Sequence, residues 1–161
     1  MASILPSRPR QIGPIGTRRT VGIVASQFHQ EFVKGLVDHA RAEIEAIGPG
    51  TTVRLVEVPG AFEIPLVVSR LALIEEIDVV IALGVIIEGE TAHAALVGHT
   101  VTEALMRIML NTGTPVIHEV LLLANEAQAR VRCLEDEINR GTEAARVAMR
   151  MAAVMSDFAA R

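Results

Sequence analysis

Apolar positions along this chain fall into short continuous runs, separated by longer stretches in which they recur every three or four residues. Val21–Ser26 (VGIVAS) is a run of the first kind and predicts a buried strand. Phe28–Ile47 carries the helical period and stops at Gly48-Pro49-Gly50. Thr51–Val58 alternates as a strand does, then meets the turn Pro59-Gly60. A helix is predicted from about Glu63 to Glu76, followed by the continuous strand Asp78–Ile87. Thr91–Thr112 reads as a long helix closed by Gly113, and Pro115–Leu123 as a fourth strand. Asn125–Arg132 and Glu135–Phe158 read as helices. Strands that alternate with helices in this way predict right-handed βαβ units and a parallel sheet covered on both faces. The economical architecture is an α/β three-layer sandwich of the flavodoxin-like kind, with a four-stranded parallel sheet. No internal repeat or linker divides it, so a single domain over residues 20–158 is expected.

Composition sharpens this picture at three points. Half of the 161 residues are hydrophobic and the mean hydropathy is +0.40, high for a soluble monomer of this size. No apolar run reaches the roughly 18–20 residues needed to span a bilayer, so membrane insertion is not expected and the excess predicts burial between subunits. The net charge of −4 argues against a nucleic-acid footprint, which needs a basic face. The single Cys133 excludes an internal disulfide and fits a reducing cytoplasm. As a lone thiol in an Arg/Glu-rich segment it is expected to be inert. Residues 1–19 hold Pro6, Pro9, Pro14 and four arginines without an acid. A transit peptide has that charge, but the prolines break any amphipathic helix, so a flexible or domain-crossing arm is expected.

The chemistry concentrates where strands end. Ile81–His99 (IALGVIIEGETAHAALVGH) runs from a buried strand through Gly-Glu-Thr-Ala-His straight into a helical pattern. In open α/β sheets this edge binds ligands, and a helix start there favours an anion such as phosphate. His93 falls in the first helical turn, where an imidazole can both give and take a proton near neutrality. The plainer reading is a histidine on a helix surface. His99 lies six residues on and about 240° round, so the two do not share a face or hold a metal together. At the end of the second strand, Pro59-Gly60 turns tightly, Ala61 leaves room, and Glu63 opens a helix, a position its dipole favours anyway. Phe28 ends the first strand on the same side. In a chain with only four aromatics, all Phe, it suits stacking on a heterocycle, although core packing is the commoner role. His118 and Glu119 are expected at the end of the fourth strand on this same rim.

VPGAFEIPL at Val58–Leu66, taken with ALGVIIEGETAH at Ala82–His93, resembles the 6,7-dimethyl-8-ribityllumazine synthase family. The resemblance runs from about Thr20 to Phe158. It implies a cofactor-independent transferase of riboflavin biosynthesis. Such an enzyme condenses 5-amino-6-(D-ribitylamino)uracil with 3,4-dihydroxy-2-butanone 4-phosphate through an imine, loss of phosphate and dehydrative ring closure. By the same resemblance, Phe28 matches the aromatic that stacks on the pyrimidine, and Ala61, Phe62 and Glu63 the ribityl-side turn. Val85, Ile86 and Ile87 match the strand end whose backbone reads the uracil edge. Glu90 and Thr91 match the phosphate-binding turn, and His93 the general acid/base. Arg132 matches the phosphate-binding arginine of a neighbouring subunit, and Arg140 a position that is usually basic.

The chain also departs from the family pattern. Glu88 stands where bacterial members usually carry Arg or Lys, so two acids flank the expected dianion site and weaken it unless both point outward. His118 replaces a Phe that walls the heterocycle pocket, Glu119 a small residue, and His29 an Asn; Leu122-Leu123-Ala124-Asn125 replaces a Thr-rich segment. Family members form pentamers, some of which pair or close into sixty-subunit shells, and shell formers tend to kink with glycines near Cys133–Arg140. Here that stretch (CLEDEINR) has no glycine, which predicts a straight, continuous helix and a pentamer or pair of pentamers. A competing expectation is a non-catalytic scaffold of the same fold that binds flavin or lumazine. A third is a condensing enzyme acting on a related pyrimidine or amine.

Overall fold

A computed structural model describes residues 18–160. Four strands, β1 (Thr20–Ser26), β2 (Thr52–Val58), β3 (Val79–Ile87) and β4 (Val116–Leu123), form one parallel sheet in the order β2-β1-β3-β4. Helices α1 (Gln30–Ile47), α4 (Glu126–Cys133) and α5 (Arg140–Ala159) cover one face. A one-turn 3₁₀ helix (Ala61–Glu63), α2 (Ile64–Leu71) and α3 (His93–Thr112) cover the other. Strand alternation decides which side chain meets which layer. Val21, Ile23 and Ala25 of β1 and Val79, Ile81 and Leu83 of β3 pack with α1 and α5. Val24 of β1, with Val80 and Ala82 of β3, packs with α2 and α3. This is the expected three-layer sandwich.

The order β2-β1-β3-β4 places a site. From β1 the chain crosses by α1 to β2 on one side, whereas from β3 it crosses by α3 to β4 on the other. The connections leaving β1 and β3 therefore part, and a crevice opens between their C-terminal ends. Gly84 keeps the neighbouring layer tight: a Cβ there would stand 3.1 Å from Ile64 Cδ1 and 3.2 Å from Ser26 Oγ.

Two expected helices differ. The second ends at Leu71 rather than Glu76. The Ala72 carbonyl accepts from Thr114 Oγ1 at 2.8 Å, and the acids Glu75 and Glu76 would meet the negative end of any further turn. The continuous helix expected across Cys133–Arg140 is interrupted: α4 stops at Cys133 and α5 starts at Arg140. Asn139 makes the break. Its buried side chain accepts from the Gly141 and Thr142 backbone N–H groups (2.9 and 3.2 Å) and donates to the Glu135 carbonyl (3.0 Å). The expectation of an unbroken helix, and the assembly argued from it, loses that support.

The fold takes in Arg19, which is buried and donates to Ser156 Oγ at 3.2 Å. The rest of the expected arm, residues 1–17, lies outside the described residues. Among the described residues, no helix is long and apolar enough to cross a membrane.

Candidate active site

The crevice holds a cavity of about 270 Å³. Phe28 and His29 line it from the turn after β1, Ala61, Phe62 and Glu63 from the turn after β2, Val85, Ile86 and Ile87 from the end of β3, and His93 from the start of α3. Phe28 and Phe62 are 68% and 63% exposed, so neither is a core residue, and core packing, the commoner role for Phe28, is overturned. Both rings border the cavity, as surfaces on which a planar ligand can stack. Beneath them the cavity meets the β3 end, where Val85 is buried.

Local backbone positions these groups. His29 is the only non-glycine among the described residues with a positive φ (55°). This left-handed turn lets the chain leave β1 and enter α1 at once, and Asn or Gly would adopt it at lower cost. The His29 ring meets Phe28 edge-on, with centroids 4.9 Å apart and planes at 79°. Glu63 N–H donates to the Gly60 carbonyl at 3.3 Å, closing the 3₁₀ turn that swings Phe62 and Glu63 to the rim.

Glu90 and Thr91 occupy the turn between β3 and α3. The His93 N–H points to Thr91 Oγ1 at 3.4 Å, a weak start to the helix. Glu88 and Glu90 are both exposed to solvent, so neither drives a buried charge against this turn. The helix start presents its first backbone N–H groups beside His93, which suits an anionic group.

The remaining predicted residues lie elsewhere. β4 continues five residues past His118, so His118 and Glu119 are not at the rim. Alternation turns His118 towards α3, where its Nε2 lies 2.6 Å from Thr102 Oγ1, while its Nδ1 accepts from the Val120 N–H at 3.1 Å. Burial lowers the pKa of this imidazole. Arg132 and Arg140 line a second cavity of about 520 Å³ together with Gln128, Ile138 and the last three residues of β4. That cavity shares no lining residue with the first. Glu119, on the α5 side, is buried against Arg140, its Oε2 3.0 Å from Arg140 Nε. Burial pushes its pKa up to about 7, against the pull of Arg140. Burial also pushes the Cys133 thiol up to about 12, which leaves it protonated and unreactive.

Sequence reasoning did not place His29, Gly60, Ala94 or Val97 on the cavity. His29 and Gly60 directly adjoin residues that were singled out, which was a usable signal; Ala94 and Val97 follow from helical spacing after His93. Among the described residues no group of His, Cys, Asp and Glu is arranged to hold a metal ion.

Comparison with known proteins adds independent findings. The family model described as 6,7-dimethyl-8-ribityllumazine synthase matches residues 18–156. Proteins named 6,7-dimethyl-8-ribityllumazine synthase from Paraburkholderia phytofirmans and Paraburkholderia xenovorans are each 43% identical over 133 residues, covering 82% of this chain and 77% of theirs. One from Burkholderia multivorans is 42% identical over 133 residues, covering 82% of this chain and 75% of its own.

Proposed function

The chain belongs to the 6,7-dimethyl-8-ribityllumazine synthase family, a transferase family of riboflavin synthesis, and from that premise we propose a division of labour within its site. The pyrimidine of 5-amino-6-(D-ribitylamino)uracil stacks on Phe28. Backbone groups of Val85, Ile86 and Ile87 read its edge, and the ribityl chain runs along Ala61, Phe62 and Glu63. 3,4-Dihydroxy-2-butanone 4-phosphate lays its phosphate at the Glu90–Thr91 turn. His93 moves the protons needed for imine formation and phosphate elimination. No cofactor takes part. The observation that carries this reading is the gathering of Phe28, Ala61, Phe62, Glu63, Val85, Ile86, Ile87 and His93 around one cavity.

Arg132 and Arg140 act in trans, each cation serving the His93 cavity of a second copy. Two features support this. The cavity at His93 is small beside the roughly 300–1,000 Å³ of typical ligand sites. Arg132 and Arg140 lie on a different cavity of the same chain. A guanidinium brought by a neighbour supplies the paired, charge-assisted bonds that hold phosphate and stabilise its departure. The working form is then a pentamer-based homo-oligomer, and the buried thiol of Cys133 is compatible with a reducing cytoplasm.

The test is lumazine formation from the two substrates, followed by fluorescence. His93→Ala should lower turnover by about 10²-fold or more, the usual share of a general acid/base. Arg132→Ala should chiefly raise the KM for the phosphate substrate. Unchanged kinetics in both variants would remove the assignment. Tight ligand binding without product would mark a scaffold instead of an enzyme.

A further inference from the structure

Glu119 has no role in the site as described above, yet it is a carboxylate buried to 5% exposure on the edge strand. Its Oε2 accepts from Arg140 Nε at 3.0 Å, and Arg140 Nη1 lies 2.7 Å from Glu143 Oε2. Arg140 is the first residue of α5, so two carboxylates, one from β4 and one from the next helical turn, grip a single guanidinium. That guanidinium lines the cavity it shares with Arg132. A long, rotamer-rich side chain is thereby held at one place on the cavity wall.

We propose that Glu119 is a positioning residue for the anion, holding Arg140 on the wall of the Arg132 cavity and taking up a proton when a phosphate arrives. The inference rests on the reading that these arginines hold the phosphate. Charge requires the second half of it. Two carboxylates and a dianion around two guanidinium groups leave an excess of two negative charges in a half-buried space, where such repulsion is weakly screened. One proton on a carboxylate relieves half of that excess. Glu119 is the group prepared to accept it.

The groups that face Glu119 set its proton affinity. Arg140 from α5 and Arg132 from α4 favour its ionised form, Glu143 from α5 opposes it, and the neutral Cys133 thiol from α4 adds no charge. Burial outweighs the arginines, so the carboxyl titrates at about 7. An incoming dianion pushes in the same direction as Glu143 and raises it further. Below about pH 6 the carboxyl is already protonated and binding needs no proton. Above pH 7 binding draws one from solvent, and affinity falls as the pH rises.

Sulfate is the probe, because it stays dianionic throughout and only the protein titrates. Calorimetry on the protein as purified, in buffers of different ionisation enthalpy, measures affinity and proton uptake together. The wild type should bind sulfate about three- to tenfold more weakly at pH 8.5 than at pH 6 and take up protons at pH 8. Glu119→Gln should match the wild type at pH 6, bind several-fold more tightly at pH 8.5 and lose that share of the uptake. Any contribution from His93 is common to both proteins and cancels in the difference. The ratio of the two proteins' KM for the phosphate substrate should change with pH in the same way, because the ester's own ionisation near about pH 6 is common to both. Parallel profiles for the two proteins would overturn the proposal. Should Glu119→Gln not fold, the wild type decides alone: sulfate binding at pH 8 without proton uptake overturns it as well. Arg132→Ala separates the two levels. Sulfate affinity indifferent to Arg132 sinks the phosphate-site reading itself, whereas loss of affinity there with parallel Glu119 profiles sinks only the role of Glu119.

Discussion

His118 illustrates how one side chain settles its own protonation. The Val120 N–H donates to Nδ1 at 3.1 Å, so the proton of the neutral ring sits on Nε2 and is given to Thr102 Oγ1, 2.6 Å away. Thr102 passes its own hydroxyl proton to the Gly98 carbonyl at 2.7 Å. A second ring proton would set two N–H donors against each other, and burial also lowers the pKa. The unfolded chain then protonates His118 before the folded one does. Its contribution to stability is whole above pH 6.5 and drains away as the pH falls below it. His118→Phe should lower stability by about 1–2 kcal/mol at pH 7.5, the worth of the lost bonds. The gap between the two proteins should narrow at pH 5, as read from urea midpoints; a gap that widens on acidification would contradict the assignment. At this scale the sequence was legible where residue type and strand end coincided, as at Phe28, Phe62 and His93. His118 was legible as well: the strand read as Pro115–Leu123 already ran five residues past it, so a place at the rim did not follow from that strand. Pairing with β3 from Val80↔Val116 to Ile87↔Leu123 keeps the same end.

Among the elements, the strands could be read closely because each is a continuous or alternating apolar run bounded by turn residues. The end of α4 was read to within a residue, but the start of α5, expected at Glu135 and found at Arg140, was not. Asn139 breaks the chain between α4 and α5 through bonds to backbone groups before and after it, and no periodicity records such a bond. The interruption is also a packing requirement. A Cβ on Gly141 would stand 2.2 Å from the Leu36 carbonyl oxygen, so α5 begins where its backbone touches α1. Farther along the same two helices, Arg146 Nε meets the buried Glu43 carboxylate at 2.8 Å. Asn139→Ala should therefore cost about 2–3 kcal/mol, a lost cap together with buried donors left unsatisfied. Gly141→Ala, which sets a methyl group against main chain rather than a flexible side chain, should cost at least about 3 kcal/mol or prevent folding. Equilibrium denaturation measures both. A Gly141→Ala protein as stable as the parent would mean that α1 and α5 do not pack as described.

For the molecule as a whole, the excess hydropathy has a location. Phe62, Leu66, Leu73, Leu96, Met106 and Leu110 are all exposed, and they lie on α2, α3 and the turns beside them. Of the twenty residues of α3, only Val101 and Leu105 are buried. A helix so apolar and so little covered calls for a partner, and an adjoining concavity lined by Phe62, His93, Leu96, Val97 and Thr100 continues the same face to the edge of the His93 cavity. Composition announced this apolar surplus, whereas its placement beside the candidate site needed the fold. If a neighbour covers this face and brings its Arg132 with it, each site combines residues of two chains. Mixing then provides the sharpest check. His93→Ala and Arg132→Ala proteins, each nearly inactive at limiting phosphate substrate, should regain activity when unfolded together and refolded at equal amounts. Random assembly gives about a quarter of sites an intact His93 and an intact Arg132 from the neighbour. The regained activity should approach that fraction of the wild-type value at the same substrate concentration. Native mass spectrometry should show mixed oligomers in the same preparation. Mixed oligomers without regained activity would place both residues in one chain's site, or neither in any.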